Sequence, residues 1–303
     1  MRSRRQPLLL FALLLALMPA APDEARAQHA EAVTLTHVHG LAYSADGKQL
    51  MVPSHHGLAV FRDGKWSKAP GPSHDYMGFA ASRNRLYSSG HPAPGSGLVN
   101  PFGLIRSDDG GRTWQKRGLE GETDFHLLGV SWNANAIYVW NPEPSSKIRA
   151  AGVHFTLNDG FTWQRAAVKG ISGKPHAIAV HPADSKIVAI ATVTGIFLSR
   201  DSGDSFESVA ANGQGLTVFF DLDGKHLWHS SYDGNPRLAR TALQGGANTA
   251  ATLPALTNDA VAYVAQNPAA GGEYAIATFE RSVYVTRDGG RNWRQIARNG
   301  KGL

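Results

Sequence analysis

The chain of 303 residues carries 13 histidines and no cysteine. Imidazole is therefore its best soft-to-borderline donor, suited to copper, zinc, nickel or iron with no thiolate in competition. The missing cysteine excludes a disulfide scaffold, a thiolate metal site and a Cys nucleophile. The histidines are unevenly placed. They occur as His37-Val38-His39, His55-His56, His74-Asp75, His91, Asp124-Phe125-His126 and Pro175-His176. No pair has helical zinc-motif spacing and there is no His-Glu-x-x-His, so a metal site must be assembled from distant segments. Three or four neutral ring nitrogens can hold one ion, and neighbouring carboxylates can ligate it or orient ring N–H groups.

A second chemistry uses carboxylates. Trp140-Asn141-Pro142-Glu143 and Tyr232-Asp233-Gly234 set aromatic rings beside acids, and Asp259 and Glu280 add two more. A sugar can stack on such rings, and glycoside hydrolysis needs two carboxylates about 5–10 Å apart. Glu143, Asp233, Asp259 and Glu280 are the candidates. There is no G-x-S-x-G, no P-loop and no dinucleotide-binding glycine fingerprint, so no nucleotide cofactor is expected.

The elements that must position these residues are repeated. Four segments follow Ser/Thr-x-Asp/Asn-x-Gly-x-Thr/Ser/Asn-aromatic: Ser107–Trp114, Thr156–Trp163, Ser199–Phe206 and Thr286–Trp293, with a short copy at Phe61–Trp66. The closing aromatics at 66, 114, 163, 206 and 293 are separated by 48, 49, 43 and 87 residues, so a degenerate copy belongs near 250. Six repeats of about 45 residues signal a solenoid, propeller or array. Strand-like runs such as Gly195–Ser199 precede the boxes, and Asp-x-Gly makes a tight hairpin. Four strands per repeat, A to D, predict an all-β, six-bladed β-propeller. The blades fall at 37–70, 74–119, 125–168, 176–210, 215–254 and 259–298. Each is complete in chain order, so ring closure is expected to rest on packing of blade 1 against blade 6.

In such a blade the start of strand A and the B–C loop share one face. Most of the 13 histidines fall there. His39, His126 and His176 are the first candidate metal ligands. His37, His74 and His91 come next, with Asp75 and Asp259 as ligands or orienting carboxylates. Asp124, His55, His56 and His229 are further candidates on that face. Met77 offers a soft donor for Cu(I) or a core side chain. The alternative is a polar, water-filled pore whose histidines hydrogen-bond across blades. His154, His181 and His226 are expected to be structural.

These motifs resemble the Asp boxes, or BNR repeats, of sialidase-like propellers, over the whole chain after its first 27 residues. The resemblance implies that the boxes lie in C–D hairpins, away from the ligand face, and give Asp109, Asn158, Asp201 and Asp288 a structural role. The sequence also resembles exported bacterial BNR-repeat proteins often labelled glycosyl hydrolases, through His37-Val-His39-Gly-Leu, His74-Asp-Tyr-Met-Gly-Phe79, Ser89-Gly-His91-Pro, Asp124-Phe-His126 and Pro175-His176-Ala-Ile-Ala-Val-His181-Pro182. It lacks the sialidase Arg-Ile-Pro and an Arg at the start of any A strand, so no sialidase catalytic residue carries over.

Residues 1–27 read as a signal peptide: Arg2, Arg4 and Arg5, then the apolar Leu8–Leu17, then Ala25-Arg26-Ala27. Residues 28–36 are expected to be an extension and 37–303 one propeller. Removing the leader lowers the net charge from +6 to +4, with the basic residues scattered. The expectation is an exported protein, periplasmic or secreted, with no membrane insertion after cleavage and no nucleic-acid partner. Its partner is a metal ion (copper or zinc) or small ligand, with a glycan or a protein as alternatives.

Overall fold

The structure is a computed structural model that describes residues 33–211, 213–245 and 248–303. The leader and most of the expected extension lie outside the described residues. Among the described residues there is no helix, and 25 strands form six antiparallel meander sheets. Blade 1 holds β1 (Ala42–Tyr43), β2 (Leu50–Ser54), β3 (Gly57–Arg62) and β4 (Lys65–Lys68). Blade 2 holds β5 (Asp75–Ala81), β6 (Leu86–His91), β7 (Leu104–Ser107) and β8 (Gln115–Gly118). Blade 3 holds β9 (Leu128–Val130), β10 (Ile137–Asn141), β11 (Gly152–Thr156) and β12 (Gln164–Arg165). Blade 4 holds β13 (Pro175–Val180), β14 (Val188–Thr192), β15 (Gly195–Ser199) and β16 (Glu207–Ala210). Blade 5 holds β17 (Gln214–Phe220), β18 (His226–Tyr232), β19 (Pro236–Ala242) and β20 (Thr249–Ala250). Blade 6 holds β21 (Val261–Gln266), β22 (Tyr274–Thr278), β23 (Val283–Thr286), β24 (Arg294–Arg298) and a fifth strand, β25 (Lys301–Gly302). This is the six-bladed propeller that the repeat spacing predicts, and β20 is the outer strand of the degenerate copy near 250.

Burial explains the strand sequences. A B strand is covered on both faces by neighbouring blades, so β2, β14 and β22 are buried at every residue and read as continuous small or apolar runs. Outer strands face water, and β12 is the exposed pair Gln164-Arg165. The core is divided into six apolar clusters, each shared by two adjacent blades. The box aromatics sit in these seams. Trp114 packs on Tyr76 and Trp163 on Phe125, at ring separations of 4.9 and 5.8 Å.

The full boxes share one bonding pattern. Ser107 Oγ donates to Asp109 Oδ1 at 2.8 Å and accepts the Gly111 N–H at 2.8 Å, while Asp109 accepts the Thr113 N–H and hydroxyl at 2.9 and 2.6 Å. Asn158, Asp201 and Asp288 repeat it. These bonds, led by the Thr113 hydroxyl, hold the Asp109 carboxyl down to about 2. Asn158 serves in the same place, so an amide oxygen suffices. Asp109→Asn is therefore expected to leave thermal stability nearly unchanged. Asp109→Ala should cost about 1–2 kcal/mol by removing the acceptor of three donors, the Ser107 hydroxyl and the Thr113 N–H and hydroxyl; denaturant melts of both variants check this.

Ring closure uses more than packing. The Leu35 N–H donates to Gly300 O at 2.7 Å, and Thr34 bridges Lys301 of β25. Trp66 Nε1 donates across the same seam to Ile296 O at 2.7 Å. Residues 34–35 thus add an edge to blade 6 instead of lying apart as an extension. Among the described residues no main strand is exchanged, because each blade still draws its four main strands from one continuous stretch.

Candidate functional site

The strand directions bring the starts of the A strands and the B–C loops to one face. Blade 1 contributes most. Its chain enters strand A through His37-Val38-His39, and its B–C loop is only the turn after Ser54, which carries His55. The three imidazoles meet. His37 and His55 have ring centroids 4.4 Å apart, His39 and His55 4.9 Å, and His37 and His39 5.7 Å. One potential ligand atom from each lies within 4.8 Å of the others. His39 Nε2 is buried and has no hydrogen-bond partner. Asp75, at the start of β5, lies 2.6 Å from His55 Nδ1. This carboxylate fixes a proton on Nδ1 and leaves His55 Nε2 with its lone pair free. Burial, reinforced by His55, pushes His39 down to about 4, so it is a neutral donor at neutral pH.

Blades 2 and 3 add a second polar group. Asp124 Oδ2 lies 2.8 Å from His126 Nε2 and 3.2 Å from His91 Nε2. His91 Nδ1 also meets Asn100 Oδ1 at 2.7 Å. The Asp124 hydrogen bond raises His126 above the usual histidine range. One oxygen of Asp75 and one of Asp124, Oδ1 in each, are buried without partners.

The expected ligand set is therefore divided. His37 and His39 join with Asp75 as the orienting carboxylate. His126 and His91 belong to the adjacent Asp124 group. His176 is turned away by a β-bulge between Pro175 and Ala177, and its Nδ1 lies 3.2 Å from Gly215 O. His74 is buried in blade 2 between Tyr76 and Phe102, and its Nδ1 accepts the Ala93 N–H at 2.9 Å. Asp259 closes a loop by accepting the N–H groups of Ala260 and Glu280 at 2.8 and 3.0 Å. The missing third ring is His55. The signal for it is the doubling in blade 1, which carries two histidines at its A-strand entry (His37, His39) and two at its B–C turn (His55, His56).

The carboxylate candidates do not converge on the channel. Asp233 is paired with Arg237 at 2.8 Å, and Glu143 and Glu280 are exposed. The acid that lines the channel is Asp124.

His154 and His181 are structural, each with a ring nitrogen against a backbone oxygen. Asp221, Asp223 and His226 gather on the opposite face. Asp221 there already accepts from Trp228 Nε1, Tyr274 hydroxyl and Arg240 Nε at 2.8, 2.9 and 2.9 Å, which makes it the anchor of a blade seam. His229 lies inside β18, not on the ligand-face loop, with Nε2 3.0 Å from the Thr241 hydroxyl. Burial pushes its pKa down to about 4. Its contribution to stability is thus complete above the unfolded value of 6.5 and is lost as the pH falls from 6.5 toward 4. That loss is on the order of 2–3 kcal/mol by pH 4.5. His229→Gln is expected to narrow the difference in Tm between pH 7 and pH 4.5, read by calorimetry at both values.

The channel itself is a cavity of about 760 Å³ along the A strands of all six blades. His39, Asp124, His126 and His176 lie at its ligand-face end, with Trp140 beside them. Its middle is apolar, so it is not the polar pore that the histidine count allowed.

Comparison with known proteins bears on the fold. No family model matches the chain, and no curated protein matches its sequence. Among solved structures, a GH74 enzyme of Niastella koreensis is similar with a TM-score of 0.60 and 16% identity over 88% of this chain and 46% of its own. The GH74 xyloglucanase of Xanthomonas campestris gives 0.53 and 15% over 88% and 46%. The Cps50 (Swd1) β-propeller domain of Myceliophteria thermophila gives 0.54 and 14%, over 86% of each chain. The chain spans about half the length of the GH74 neighbours. The likeness shows a propeller fold shared with glycoside hydrolases and with a propeller domain of another kind.

Proposed function

We propose that this protein is an exported propeller that binds one transition-metal ion, copper or zinc, through His37, His39 and His55 on its ligand face. The observation that carries this reading is the meeting of three imidazoles whose donor atoms lie within 4.8 Å of one another. The buried, unpartnered Nε2 of His39 supports it, since a lone pair without a partner is costly unless something binds it. Asp75 supports it by orienting His55, as carboxylates do for metal-bound histidines. Three imidazoles leave a fourth position open toward solvent or a second ligand. Export rests on the N-terminal leader read from the sequence. The test is elemental analysis of the tag-free protein from an export compartment, followed by calorimetric titration with each metal. One ion per chain with a Kd at or below micromolar is expected, and no binding at that level overturns the reading.

A glycoside hydrolase is the second reading. It is favoured by the GH74 neighbours and by Trp140 and Asp124 together at the channel mouth. Turnover of a chromogenic glycoside, abolished by Asp124→Asn, would support it over the metal-binding reading.

A further inference from the structure

The channel below the histidines has a chemistry that the metal site does not use. Each blade gives it a large apolar side chain: Leu41, Phe79, Leu128, Ile178, Leu216 and Val264. These six keep 5–9% exposure and border the cavity. An apolar lumen offers water few partners and favours an apolar occupant. At about 760 Å³ it is in the size range of small-molecule sites. Its ligand-face end is different: Lys174 brings an ammonium there beside Gln214, while the Asp124 carboxylate at the same end is already paired with His126 and His91. The approach is apolar as well. Of the exposed large hydrophobic residues, Leu98, Val99, Val193 and Phe279 lie on B–C loops of the ligand face, and Tyr232 ends the B strand that leads into another. Phe279 is 58% exposed and also lines the cavity.

We propose that the channel binds a linear aliphatic carboxylate, with the carboxylate held at the donor-lined mouth and the chain extended along the apolar lumen. The Lys174 ammonium matches an anionic headgroup, and the six apolar collars match a tail with no polar group of its own. The inference is independent of the metal reading.

The test is calorimetric titration of hexanoate, octanoate and decanoate into the full chain, metal-free and zinc-loaded. One decanoate per metal-free chain is expected, with Kd tightening roughly threefold to fourfold for each added methylene. Ala177→Leu with Ala179→Leu, both on the lumen, should weaken decanoate at least tenfold and leave zinc content unchanged. An affinity that does not change with chain length in the wild type overturns the proposal, whether or not the double variant folds. A folded double variant that binds decanoate as tightly as the wild type also overturns it. Decanoate binding without zinc retention upholds this inference and removes the metal reading; zinc retention without decanoate binding does the reverse.

Discussion

A His37→Ala/His39→Ala/His55→Ala variant should fold, melt close to the wild type and hold no copper or zinc. His126→Ala and His176→Ala should each hold the ion within a few-fold of wild-type affinity. The contrast follows from which rings meet. A micromolar ion is worth about 8 kcal/mol of binding, and that sum comes from its ligands. His126 is committed to Asp124, and His176 is turned to the Gly215 carbonyl by its bulge. Asp75→Asn is the graded case. It weakens the acceptor at 2.6 Å from His55 Nδ1, and loss of such an orienting carboxylate typically costs 10–100-fold in metal affinity. His74→Ala should behave differently again, lowering stability with no effect on metal, because its ring is packed in blade 2 and caps the Ala93 N–H. Equal metal content in the wild type and the His37/His39/His55 variant would overturn the assignment. Metal lost on His126→Ala or His176→Ala would move the site across the channel.

The boundary between what was readable and what was not has a physical cause. The boxes are local: Asp109, its Ser107 and its Thr113 lie within seven residues, so spacing alone specifies their bonds. The number of blades and the face on which histidines gather follow from the repeat length and from strand alternation. Which histidines touch depends on details of about one residue. A bulge at Pro175/Ala177 re-aims His176, and a similar shift stands at Gly215/Thr217 in blade 5. The repeat pattern puts His55 on a B–C loop, and only the tightness of the Ser54–Gly57 turn brings it back over His39. The same pattern puts His229 near the mouth, but β18 runs on to Tyr232 and leaves it inside the sheet. The apolar lumen was hidden for another reason. Residues such as Leu216 and Ile178 have the same sequence signature whether they border a seam or a channel, and only ring closure separates the two.

Ring closure is where the second large effect is expected. Five of the six seams are crossed by the chain as it passes from one blade to the next. The seam between blades 6 and 1 is crossed only where residues 34–35, bonded to the outer edge of blade 6, run on into strand A of blade 1, so that short attachment, side chains and a few hydrogen bonds must hold it. Leu35 is fully buried there, and its N–H donates to Gly300 O. Gly300 has φ of +84°, and a Cβ on it would stand 2.5 Å from the Leu35 carbonyl oxygen. Leu35→Ala should cost about 2–5 kcal/mol from lost burial and the cavity left behind. For a domain of this size that lowers Tm by on the order of 10 °C. Leu227→Ala, equally buried in the seam between blades 4 and 5, serves as the comparison. Both should lower Tm, but only Leu35→Ala should open the ring, with early hydrogen exchange in β1, β23 and β24 while blades 3 and 4 stay protected. Exchange that rises evenly in all six blades of the Leu35 variant would mean that the seam is no weaker than the others, and that the contacts of Trp66 and Arg281 across it, to Ile296 and Thr36, close the ring without Leu35.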